Sequence, residues 1–144
     1  MTSTEIPAPK HHWLRATGYG LLAEVATIIT IILVVMAYKY VFARGLPDPD
    51  YAAFGQRAGG YIGVVGGAIY TYIFARGLMP RLSSRFSEHG MVVALAAIAL
   101  SIAGSIAGHQ GVPPAYLLAS VLKILAGARA GFVYNRSLAV NRMV

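Results

Sequence analysis

The chain has 144 residues, 57% of them hydrophobic and 12% charged, with a mean hydropathy of +0.62; soluble domains carry about 25% charged residues, so an ordinary water-soluble fold is excluded. The absence of cysteine removes disulfides, thiolate metal sites and cysteine nucleophiles. A net charge of +7 would suggest nucleic acid in a soluble protein, but no basic, aromatic nucleic-acid surface is present, and the positive-inside rule accounts for the excess.

At about 20 residues per span, this length holds one membrane domain of four helices. Residues 1–12 are polar, contain Pro7 and Pro9, and read as a disordered tail on the cytoplasmic side. The apolar tract that follows is too long for a signal-peptide core and no small-residue cleavage site closes it, so a cleavable signal is not expected. The membrane domain is expected over 13–137. Its first span runs over 16–42. Leu46-Pro47-Asp48-Pro49-Asp50 is a turn by composition, with Asp50 as N-cap of a second span over 51–75. A basic connector, 77–89, contains Pro80, and its Leu82, Arg85 and Phe86 are expected at headgroup level. Ser87 is expected to cap a third span over 90–108. Gln110 to Pro114 form a tight turn before a fourth span over 114–134. Residues 138–144 are read as a short basic tail.

Charge predicts the orientation. Lys10, Arg15, Arg76, Arg81, Arg85, Arg136 and Arg142 fall on one side; Lys39 and Arg44, offset by Asp48 and Asp50, fall on the other. Both termini are therefore expected in the cytoplasm of a cell with a bacterial inner-membrane type bilayer. Trp13, Tyr19, Tyr72, Phe74 and Tyr134 would mark the inner aromatic belt. Tyr38, Tyr40, Phe42, Tyr51, Phe54 and Tyr116 would mark the outer one. The segment Tyr38–Leu46 is closely repeated as Tyr70–Leu78. Either both copies end a span, with glycine at C′, or spans one and two are a duplication.

Glycines at 55, 59, 63 and 67, with Gly60 and Gly66 beside them, form a zipper-like run. In water six helical glycines would each cost about 1 kcal/mol relative to alanine. In lipid, small residues at every fourth position let another helix approach closely. This run predicts the main packing seam. Ala119, Lys123, Gly127 and Gly131 repeat the spacing in the fourth span, and Ala97, Ser101, Ser105 and His109 in the third. Thr17, Gly20, Glu24 and Thr27 form the polar line of the first. Spans two to four are expected to pack tightly with the Glu24 line facing them, and the surplus of seams predicts a homo-oligomer or a membrane-complex partner.

Four charges lie within the spans: Glu24, Lys123, Arg129 and Arg57. An ionised residue at a helix centre costs about 2.5–3.5 kcal/mol on insertion scales, and such residues usually face partners. One reading pairs Glu24 with Lys123 or Arg129 as a structural brace while the remaining arginines reach the membrane faces. The other makes Glu24, Lys123, Arg129 and Arg57 an ion or substrate pathway, with the first three as its buried polar site and Glu24 or Lys123 exchanging protons, or a positive site for a small anion or anionic lipid. His11, His12 and His89 do not make a convincing metal site. No histidine lies mid-bundle to hold a haem, and no nucleophile, phosphate-loop or dinucleotide motif occurs. No cofactor, no metal and no enzymatic activity are expected.

Leu21-Leu-Ala-Glu24-Val25, early in the first of four spans, resembles the small multidrug resistance transporters. The resemblance implies a lone glutamate that exchanges protons for cations. It covers five residues; the glycine-rich second span and the additional intramembrane bases depart from that pattern, and no membership follows. The sequence thus predicts an all-α, four-helix membrane bundle with short loops. Its function is expected to be either that of an oligomeric transporter or channel-like protein, or that of a non-catalytic subunit or assembly factor of a larger complex.

Overall fold

The computed structural model describes residues 12–108 and 114–141; residues 1–11 of the expected tail, residues 110–113 of the expected 110–114 turn, His109 and Arg142 lie outside the described residues. Helix α1 spans Trp13–Ala37 and continues as a wide π turn, Tyr38–Phe42. The second span is composite: α2 (Asp48–Tyr61), a π turn (Ile62–Gly66), α3 (Gly67–Leu78) and a 3-10 turn (Met79–Arg81). The third span is α4 (Phe86–Ala107) and the fourth α5 (Ala115–Asn141). All four are long and apolar enough to cross a membrane. Leu22, Ile29, Leu33, Ile69, Ile73, Leu95, Leu118 and Leu125 stand exposed around the outside. A belt of apolar side chains on this scale is what a bilayer covers and water does not tolerate. Backbone groups are satisfied within the helices, as a bilayer requires. The threonines follow suit: Thr27 donates to the Ala23 carbonyl at 2.9 Å and Thr71 to that of Gly67 at 2.7 Å.

Several boundaries differ from those read in the sequence. Asp50 is not the N-cap. Pro47, in extended conformation, occupies that position, and Asp48 and Asp50 lie in the first turn, where their charge favours the helix dipole. Ser87 does not cap the third span. Arg85 does, in the left-handed region at φ 55°, without a side-chain capping bond. The fourth span runs on to Asn141, through most of the expected tail. The two copies of the Tyr-x-Tyr-x-Phe-Ala-Arg-Gly-Leu segment part company. Gly45 adopts φ 84° in the turn beyond the helix end at Phe42, whereas Gly77 stays inside α3.

The spans are arranged as two antiparallel hairpins. Span one packs beside span two and span three beside span four. Spans one and three, and two and four, lie alongside in parallel. The connector therefore crosses the diagonal of the bundle. It does so through apolar contact: Leu78 and Met79 are completely buried and Leu82 nearly so, in one cluster with Ala16, Ala75, Val93 and Ala130. Leu82 thus faces the protein core and not the headgroups, because the diagonal crossing carries it over the open end of the bundle. Aromatic pairs gather at the two ends. Tyr19 meets Phe74 and Phe86 meets Tyr134 near the connector; Tyr38 stacks on Phe54 at the other, where the 43–47 loop lies.

The close-packed seams are not where the glycine run of the second span predicts. A Cβ on Gly90 would collide with the Gly127 backbone, and one on Gly127 with that of Gly90. One on Gly131 would meet the backbone at Phe86 and Ser87, and one on Gly20 the Val93 carbonyl. By contrast, a Cβ on Gly55 or Gly59 would only touch Val35 or Ile31, at 3.7 and 4.0 Å, and one on Gly63 or Gly60 would meet nothing within 4 Å. Of the run, Gly67 alone is tightly enclosed by another span. The π turn at Ile62–Gly66 explains the division. It inserts a wide turn that rotates the stretch before it out of register with the stretch after it, so a fourfold spacing in sequence does not make one continuous stripe in space.

Candidate functional site

Glu24 lies eleven residues into the first span, about 16 Å along its axis and so near the middle of a hydrocarbon core about 30 Å thick. Its helix is parallel to the third span, which brings Ser101 to the same depth. Lys123 reaches the same point from the fourth span, across the bundle diagonal. The Lys123 ammonium donates to Glu24 Oε2 at 2.5 Å and to Ser101 Oγ at 3.2 Å, and the Ser101 hydroxyl donates to Glu24 Oε1. Both carboxylate oxygens are engaged. Glu24, Ser101 and Lys123 are 6, 8 and 3% exposed, which seals the cluster from its surroundings.

Gly67 makes room for this geometry. A Cβ there would lie 2.7 Å from Lys123 Cε, so the lysine stem lies in the slot where the second span lacks a side chain. Gly67→Ala is expected to cost about 1–2 kcal/mol. The clash is with a flexible side chain that can shift, so the bundle should survive with the ion pair displaced. Chemical unfolding in mixed micelles, compared with Gly63→Ala, measures it.

Arg129 and Arg57, expected on the same pathway as Glu24 and Lys123, do not join the cluster. Gly127 is level with Gly90, and Gly131 with Phe86. Arg129 therefore lies at the depth of the first turn of the third span, and its side chain is exposed on the outside of the bundle. Arg57 is exposed on the loop-end half of the second span. Both can reach a membrane face along their aliphatic stems. One acid and one base remain inside, and the interior charge balances. Ser101 is the residue that sequence reasoning passed over as packing. The signal for it was its register on the small-residue line of the third span, which gains meaning only once spans one and three are known to be parallel.

His89 lies apart from the cluster. It is buried, stacks on Trp13 with ring centroids 4.3 Å apart, and its Nδ1 pairs with the Arg85 carbonyl at 2.9 Å. Arg76 lies over the Tyr134 ring at 4.8 Å. Among the described residues no group of three His, Asp or Glu side chains is placed to hold a metal.

Fold and site together define a multi-pass, four-helix membrane protein with an internal ion pair at mid-depth. No family model, curated protein or solved structure matches the chain. Glu24 also differs from the lone glutamate that the likeness to the small multidrug resistance transporters implied: Lys123 already supplies the cation it would bind.

Proposed function

We propose that the chain is a small transporter or channel-like protein, with both termini in the cytoplasm of a bacterial inner-membrane type bilayer, in which Glu24, Lys123 and Ser101 form the gate for a proton or a small anion. The observation that carries this reading is the position of the cluster. On the connector side of it the spans are in backbone contact, at Gly20, Gly90, Gly127 and Gly131. The polar cluster borders this tightly packed half of the bundle, the place for a barrier over a closed base. A transferable proton there needs an acid, a base and a hydroxyl within hydrogen-bond reach, and these three side chains supply them.

Proteoliposomes with an internal pH-sensitive dye, under imposed proton and anion gradients, test the reading. The wild-type chain should dissipate a gradient, while Glu24→Gln and the double variant Glu24→Gln/Lys123→Met should not. The double variant removes both charges, so it should regain the stability that a single replacement loses without regaining flux. A wild-type chain that moves neither protons nor anions would leave the pair as a structural brace.

The alternative, a non-catalytic subunit or assembly factor, is favoured by a different observation. Arg57 and the uncovered Gly59–Gly63 face present charge and small side chains to the outside, where a partner helix, a second copy or anionic lipid could meet them. Purification in mild detergent separates the two readings. A stoichiometric foreign membrane protein supports the alternative, and a pure homo-oligomer supports the first.

A further inference from the structure

The fourth helix extends beyond the spans it packs against. Gly131 is pressed on the Phe86–Ser87 backbone, and the helix then continues ten residues to Asn141, about 15 Å further. The end of the connector folds beside this projection. Between them lies a cavity of about 460 Å³, within the roughly 300–1,000 Å³ range of small-molecule sites. It opens at the level where the third span begins, which in a bilayer is where hydrocarbon gives way to headgroups.

The walls of the cavity are of two kinds. Phe86 and Leu138 are apolar, whereas Ser84 and Ser87 offer hydroxyls. Arg85 and Glu88 are both part of the lining and face each other at 3.3 Å, each side chain about half-exposed. A lone arginine would select a phosphate, and a lone glutamate an ammonium. Side by side, they match a ligand that carries both. Such an exposed pair contributes little to stability, so separating it to receive two opposite charges costs little, and each new contact is a charge-assisted hydrogen bond. The glutamate side sets a further condition: the ammonium must have N–H groups to donate.

We infer that this cavity is a headgroup site for a phospholipid of the ethanolamine class. Its phosphate meets Arg85 and the serine hydroxyls, its primary ammonium meets Glu88, and its acyl portion follows Phe86 into the bilayer. The inference rests on the membrane fold and not on the transport reading. It also replaces the anionic lipid expected from the net charge with a zwitterionic one at this position.

Native mass spectrometry of the delipidated full chain, titrated with single lipids in detergent, tests it. Phosphatidylethanolamine should bind at least tenfold more tightly than phosphatidylcholine, whose ammonium has no N–H, and than phosphatidylglycerol, which has no ammonium. Arg85→Gln and Glu88→Gln should each remove that preference. The exchanged pair Arg85→Glu/Glu88→Arg, which keeps both charges in the cavity, should recover part of it. Soluble glycerophosphoethanolamine should not compete at equal concentration. Phosphatidylglycerol binding as well as phosphatidylethanolamine, a preference unchanged in Arg85→Gln/Glu88→Gln, or the soluble headgroup competing as an equal, would each overturn the assignment. Both side chains are half-exposed, so circular dichroism and melting of the variants should match wild type.

Discussion

Gly127→Ala is expected to destabilise the bundle by about 3 kcal/mol, at the upper end of what overpacking a dense interior usually costs. Its new methyl group would meet backbone on the opposing helix: the carbonyl carbon of Gly90 would lie 2.9 Å away and the Ala94 Cβ 3.3 Å. Backbone in a membrane helix cannot step aside without breaking hydrogen bonds that lipid does not replace. Gly90→Ala should behave alike, since the two glycines face each other. Gly63→Ala provides the contrast. With nothing within 4 Å of its Cβ, it should fall within about 0.5 kcal/mol of wild type or gain slightly from alanine's better helix propensity. Reversible unfolding in mixed micelles distinguishes these outcomes. If Gly63→Ala proved as damaging as Gly127→Ala, the Gly59–Gly63 face would have to lie against a second chain, and the folded unit would be an oligomer.

The second large effect concerns the ion pair. Lys123→Met should cost about 3–5 kcal/mol, because it leaves an ionised carboxylate in the bundle interior with Ser101 as its remaining partner. Glu24→Gln should cost less, since its one amide oxygen can still accept from Lys123 while the amide nitrogen donates to the Ser101 hydroxyl oxygen. The double variant Glu24→Gln/Lys123→Met should lose far less than the sum of the two single losses. That shortfall measures the coupling between the two side chains. Additive losses would mean that the two residues are not energetically paired. Stability and flux are separate readouts here. A brace predicts that the double variant is stable with no function to lose, and a gate predicts that it is stable and silent where the wild type conducts.

The particular residues show where reading a sequence succeeds and where it stops. The number of spans, their order and their approximate centres follow from hydropathy and length, which are properties of each segment alone. So do the aromatic ends and the presence of Glu24 and Lys123 inside spans. The boundaries were less legible. Arg85 caps a helix by adopting a left-handed conformation that arginine does not advertise, and α5 runs past its apolar stretch because the Phe86–Tyr134 contact and the connector support it from the side.

Span composition, the bilayer as solvent, and the presence of an acid and a base that need company at mid-depth were determined by the sequence itself, because burying apolar length in lipid requires no knowledge of neighbours. Which glycines touch anything was decided by the tertiary structure. Gly55, Gly59 and Gly63 have the same spacing as Gly127 and Gly131, yet only the latter two are pressed against another backbone, because a π turn and the side-by-side hairpins set which faces meet. The same arrangement chose Ser101 over Arg129 as the third member of the site: contact across a bundle depends on helix direction and rotation, and the spacing of residues along one chain carries neither.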